Sequence, residues 1–197
     1  MASSFEIKST RPSVGETIVT IVRDHIDYRK QIFKLAGSDL RRTYRASALG
    51  WSWAIIKPLV TIFVYWFAFA IGLRRGGDIE GYPFVLWLIS GIVPWFYMSE
   101  MLTLGTECIL RNRYLVTKMK YPVSTIPTFT SISKFSVHLI LMMITILIFV
   151  ITGNELTIYL VQLPFYMLCN FLFFTGWAMF AAPIAAISTD FLSLIHI

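Results

Sequence analysis

The 197-residue chain is 56% hydrophobic and only 14% charged, with a mean hydropathy of +0.68. A soluble domain of this size has too little polar surface to cover that much apolar side chain. The net charge of +6 would suit a nucleic-acid binder, but nine of the 17 Lys and Arg lie in residues 1–50, ahead of the apolar segments. The positive-inside rule accounts for that placement and leaves no role for nucleic acid. The expected class is an all-α polytopic membrane protein with its N-terminus inside.

Residues 1–20 are polar, with Pro12 and Gly15, and read as a flexible cytoplasmic tail. An amphipathic interface-helix region is expected over residues 21–50. Val22, Ile26, Phe33, Leu40 and Tyr44 share one face, and Arg23, Arg29, Lys30, Lys34, Arg41 and Arg42 lie mostly elsewhere. Gly37-Ser38 is expected to break it, with Ser38 capping a second short helix. Such a helix lies in the plane of the interface, resting on anionic lipid or on a partner protein.

Trp51 and Trp53 mark the first membrane entrance, and the first span is expected over Trp51–Leu73. Lys57, one turn inside, can snorkel to the headgroups; its functional alternative is a charge on a transport path. The second span, Tyr82–Thr103, holds Pro94 beside Trp95, Phe96 and Tyr97. Glu100 and Glu107 follow, at a hydrated helix end or, alternatively, in a proton relay. Residues 108–127 form a second basic piece, in which Ile109, Leu115, Val116 and Met119 make an apolar strip closed by Pro122. It reads as a docking helix for a soluble partner or as an ordinary basic loop.

The third span is expected over Ile132–Ile151, with Lys134 at its inner end and His138 as a packing donor rather than a ligand. The fourth, Ile158–Ile187, is too long for one straight crossing, so a tilt, a kink or an interfacial start is expected. Asp190 marks the return to the cytoplasm. Cys108 and Cys169 show no C-x-x-C or metal spacing and read as packing residues. No phosphate-binding loop, H-E-x-x-H, G-x-S-x-G or kinase set occurs, so no catalytic residue, metal site or cofactor is expected on this chain.

Three ordered motifs carry a resemblance. The first is Asp39-Leu40 with Arg42, Tyr44 and Arg45, then Leu49-Gly50, Trp53 and Pro58-Leu59. The second is Pro83-Phe84 through Trp87, Gly91 and Trp95-Phe96, and the third Leu115-Val116, Lys118, Tyr121-Pro122 and Ile126-Pro127. Together they resemble the ABC-2 type permeases that export polysaccharides, namely the teichoic-acid, O-antigen and capsule exporters. Tyr65–Gly76 is similar to the teichoic-acid branch.

The resemblance implies a permease subunit in the bacterial cytoplasmic membrane that moves a lipid-linked glycan. Two copies would pair with two copies of an ABC ATPase subunit, and ATP and Mg²⁺ would belong to that partner. Contacts to the ATPase would come from Arg41, Arg42, Tyr44 and Arg45 and from Arg111, Arg113, Lys118 and Lys120. Trp66, Trp87, Trp95, Phe96 and Tyr97 would offer stacking surfaces to the glycan, against the plainer role of interface anchors.

The family has six spans where four are read here, so residues 51–191 are expected to be an incomplete ABC-2 transmembrane domain. Residues 192–197, Leu-Ser-Leu-Ile-His-Ile, equal the translation of a transposon-end sequencing adapter, which puts the expected native end at Phe191. The alternatives are an ABC-2 drug or lipid exporter, or an integral membrane glycosyltransferase using Asp78 or Glu80. A channel or secondary transporter is disfavoured because no charge pair is evident at the midplane.

Overall fold

The structure, a computed structural model, describes residues 13–45, 49–72, 77–79, 81–119, 121–154 and 157–188. Eight α-helices follow in chain order among the described residues: α1 Val14–Asp27, α2 Arg29–Tyr44, α3 Trp53–Trp66, α4 Phe84–Glu100, α5 Cys108–Arg111, α6 Arg113–Met119, α7 Ile126–Ile151 and α8 Leu163–Ile187. Among the described residues, four continuous helical stretches are long and apolar enough to cross a membrane: Gly50–Gly72, Phe84–Gly105, Val123–Ile151 and Ile158–Ile187. The protein is an all-α polytopic membrane protein.

The first helical region breaks at Tyr28, not at Gly37-Ser38, and α2 runs unbroken through both. Tertiary packing overrides glycine's weak helix propensity here, because Ile32 and Ala36 are buried in a cluster with Phe129 and Ala182. The last turn of α1 is pinned at the foot of α7: Ser124 Oγ donates to Asp24 Oδ2 at 2.8 Å, and His25 Nε2 lies 2.8 Å from Thr128 Oγ1. The Tyr28 ring then meets Tyr121 edge-on at 5.4 Å. Ser13 begins α1 with a capping box closed by Glu16.

The third span begins at Val123, nine residues before the expected Ile132. The run Thr128–Ser136 is polar enough to read as a loop, yet Thr130, Ser131, Ser133 and Lys134 are buried. They are enclosed by α2, α4 and α8 rather than by lipid, and protein surroundings tolerate hydroxyls that hydrocarbon would not. Lys134 therefore sits about three turns inside the helical stretch and not at its mouth.

The fourth stretch resolves its excess length with an interfacial start. A 3-10 turn, Ile158–Gln162, precedes α8, and Pro164 stands in the helix's first turn, where its missing N–H costs nothing. One face of α8 is cut small: Ala178, Ala181, Ala182 and Ala185 are all fully buried. These small residues let neighbouring backbones approach, the usual means of helix association in lipid. Gly105 completes the contact. A Cβ there would meet Met101 Cε at 3.0 Å and Ala178 Cβ at 3.2 Å.

Both α3 and α4 widen into π-helical turns, at Phe67–Gly72 and Met101–Gly105. Around the second turn, hydroxyls take up backbone carbonyls: Thr103 Oγ1 donates to Ser99 O, and Thr106 Oγ1 to Leu102 O. Outward faces carry Phe63, Val64, Phe67, Leu147, Phe165, Phe173 and Phe180, all exposed. On a monomer in water this would be a continuous sticky coat; in a bilayer it is the solvated surface.

Candidate functional site

The basic end of the bundle is built from α1, α2, α5 and α6. Leu115 of α6 is buried beside Ile32 and Ala36, with Ile109 and Val116 partly covered, so most of the expected apolar strip turns inward. Met119 does not; it is 65% exposed. The basic residues consequently point away from the core. Arg41, Arg45, Arg111, Arg113 and Lys118 are all exposed, and Lys120 lies outside the described residues.

Arg42 is exposed as well but also reaches across to the neighbouring helices. Its guanidinium donates to Asn112 Oδ1 at 3.2 Å and pairs with Asp39 at 3.5 Å. Asn112, 4% exposed, occupies the turn between α5 and α6 and donates through Nδ2 to Cys108 O at 2.9 Å. This side chain fastens the interface helix to the α5–α6 turn. Sequence reading passed over Asn112 as one polar residue among cations, and only its contact across 70 positions distinguishes it. Beneath it, burial pushes the Cys108 thiol up to about 12, with the Asp39 charge adding in the same direction.

A cleft of about 840 Å³ opens between α3, α4 and α7. Trp87, Trp95, Phe96 and Tyr97 line it, as do Trp53 and Tyr65 of the first span. Trp66 does not reach it; that ring lies 5.9 Å from Phe63 on the same helix. Trp87, Gly91, Trp95 and Ser99 recur every fourth residue and so form one stripe down α4. Nothing lies within 4 Å of where a Gly91 side chain would begin. The glycine leaves a gap between the two indoles, whose attachment points are about 12 Å apart along the helix.

Tyr97 forms the floor of the cleft and is held from behind. Its hydroxyl is 2.9 Å from Ser131 Oγ, which is 2.6 Å from Thr175 Oγ1, and that hydroxyl donates to Phe171 O. His138 stacks on the Tyr97 ring at 5.4 Å, and its buried Nδ1 has no hydrogen-bond partner among the described residues. No group of His, Cys, Asp or Glu suited to a metal occurs among the described residues.

At the basic end the cleft gains charge. Lys57, Glu100, Lys134 and the Tyr44 phenol all line it. Glu100 Oε2 and Lys134 Nζ are 3.8 Å apart, so Glu100 is part of an ion pair within the bundle rather than a freely hydrated helix end. Tyr44, grouped by sequence with the surface cations, instead faces this cleft; burial and then the Glu100 charge raise its pKa. Asp78 is exposed in the turn between the first two spans, and Glu80 lies outside the described residues.

Residues 30–196 match the ABC-2 type transporter family. The chain belongs to that family. Among its relatives, the O-antigen export system permease protein RfbA of Myxococcus xanthus is 28% identical over 183 residues, covering 91% of this chain and 66% of that protein. A protein of the same name from Klebsiella pneumoniae is 28% identical over 93 residues, 47% of this chain and 34% of its own length. The chain thus spans between a third and two thirds of the relatives it matches.

Proposed function

We propose that this chain is the membrane-spanning permease subunit of an ABC exporter that carries a lipid-linked polysaccharide, of O-antigen or teichoic-acid type, across the bacterial cytoplasmic membrane. The observation that carries the reading is the aromatic cleft. An ABC-2 membrane domain with exposed Trp87 and Trp95 along a space of about 840 Å³ offers flat apolar faces to sugar rings, whereas Tyr97 is buried and only closes the floor behind them. The O-antigen export permeases among its relatives support the choice of polymer.

In this reading two permease copies pair with two copies of an ABC ATPase, which binds ATP and Mg²⁺. The basic end is cytoplasmic, as the positive-inside rule requires. Exposed Arg41, Arg45, Arg111, Arg113 and Lys118, together with Lys120, meet the ATPase, while Arg42 ties the two contact helices together through Asn112. Motion of the ATPase would then reach α2 and α5–α6 as one lever.

The test is reconstitution of the full transporter in nanodiscs. Lipid-linked glycan should raise ATP hydrolysis severalfold, and amphipathic drugs should not. Stimulation by drugs alone would reassign the protein to the drug and lipid exporters. Glycosyl transfer by the permease without its ATPase would replace transport with catalysis.

A further inference from the structure

We infer that Ser131 and Thr175 are positioning residues of the cleft: through one directed chain of hydrogen bonds they hold the Tyr97 ring as its floor, and so set how a sugar ring seats there. The inference rests on the transport reading above and deepens it by naming what fixes the shape of the cargo site.

The direction of the hydrogen bonds carries the argument. Each hydroxyl has a single proton to give. Thr175 spends its own on Phe171 O, so Ser131, 2.6 Å away, must be the donor to Thr175. With that proton committed, the Tyr97 phenol must donate to Ser131 at 2.9 Å. The chain therefore runs one way, from the cleft floor on α4 through α7 to a carbonyl of α8. Members of such a chain polarise one another, so loss of one link weakens the rest.

Burial makes the chain consequential. Tyr97, Ser131 and Thr175 are 2%, 0% and 8% exposed, and a phenol that loses its acceptor at that depth must turn to find another. Three rings close the other sides: Phe135 and Phe174 meet Tyr97 edge-on at 5.5 and 6.2 Å, and His138 stacks on it at 5.4 Å. The open side is the cleft that Tyr97 lines, and a ring displaced into it takes up space a sugar needs. Thr130 and Ser133, on the same helix, bury hydroxyls that reach no hydrogen-bond partner among the described residues. A place on α7 alone therefore does not pair a buried hydroxyl, and the pairing of Ser131 is particular to the chain that ends at Tyr97.

The experiment measures binding of octyl glucoside to the nucleotide-free transporter in nanodiscs by quenching of tryptophan fluorescence, with octanol as the probe that lacks the sugar. Octyl glucoside should bind more tightly than octanol. Thr175→Val, which keeps the volume and removes the hydroxyl, should weaken the glucoside about fivefold and leave octanol unchanged. Tyr97→Phe, which keeps the ring and removes the phenol, should do the same. Thr175→Ser, which keeps the hydroxyl and removes a methyl, should bind both probes as the wild type does.

A role in packing alone predicts the reverse order, with the serine variant weaker than the valine one because it leaves a cavity. That order, or unchanged glucoside affinity in both Thr175→Val and Tyr97→Phe, would overturn the inference while leaving the transport reading standing. Equal loss of both probes in Thr175→Val would overturn it too, since the whole cleft would then have collapsed. Octyl glucoside binding no better than octanol to the wild type would remove the sugar cleft itself, and the cargo of the transport reading with it.

Discussion

Replacing Asn112 with alanine tests whether the interface helix and the α5–α6 turn act as one body. The side chain makes two hydrogen bonds, one from Arg42 at 3.2 Å and one to Cys108 O at 2.9 Å. The first is charge-assisted but long, and Arg42 is 46% exposed on its side chain, so it contributes about 1 kcal/mol. The second is buried. Its acceptor also receives the Asn112 backbone N–H at 3.1 Å, so truncation leaves no orphaned carbonyl and costs about 1 kcal/mol. Asn112→Ala should therefore lower overall stability by about 2 kcal/mol, of which only the Arg42 bond, about 1 kcal/mol or roughly fivefold in docked fraction, belongs to the contact between the helices. A double-mutant cycle with Arg42→Ala, read by thermal unfolding in detergent, should give a coupling of about 1 kcal/mol. In the assembled transporter the same change should lower glycan exported per ATP hydrolysed. Additivity within about 0.3 kcal/mol, with unaltered export per ATP, would refute the clip.

Lys118→Glu leaves folding intact because the side chain is exposed, and should separate ATP hydrolysis from export; normal coupling would remove α6 from the ATPase contact. Trp95→Ala, at a position that lines the cleft and is 55% exposed overall, should reduce glycan-stimulated ATP hydrolysis on the order of tenfold without lowering the melting temperature. Undiminished stimulation would return Trp95 to anchoring. Gly105→Leu should cost about 3 kcal/mol against the backs of Met101 and Ala178, whereas Gly91→Ala meets nothing and should leave stability unharmed; equal melting temperatures would contradict the packing described. Cys108 loses a proton more readily unfolded, near 9, than folded, at about 12. The folded state holds the proton more tightly, so its contribution is complete below pH 9 and is lost as pH rises toward 12. Wild type should lose stability relative to Cys108→Ala by about 1.4 kcal/mol per pH unit in that window, and parallel pH profiles would show the thiol to be solvated.

Much of the fold is legible in the sequence because lipid imposes a simple rule. A chain that must satisfy its backbone internally forms helices, and an apolar run about as long as the bilayer is thick shows where they lie. Trp51 and Trp53 beside a basic segment, and the apolar stretch after them, sufficed for the first span. The stripe Trp87–Gly91–Trp95 was also visible, since helical spacing alone places these residues on one face. The same logic failed at Thr128–Ser136. Hydropathy measures compatibility with lipid, and this segment is surrounded by protein.

The class, the helical stretches and the polarity of charge along the chain follow from the order of residues, because hydropathy and charge are local properties. Family membership was already readable in motifs that run from the interface helix to the foot of α7. Tertiary structure alone decided which polar residues meet. Arg42 and Asn112 are 70 positions apart, Tyr97 and Ser131 are 34 apart, and Lys134 faces Glu100 from another helix. It moved Tyr44 from the surface set into the cleft and left Trp66 outside it. Helical periodicity fixes the face a residue occupies on its own helix, but rotation and depth against the neighbours are set by packing of small residues such as Gly105 and Ala178.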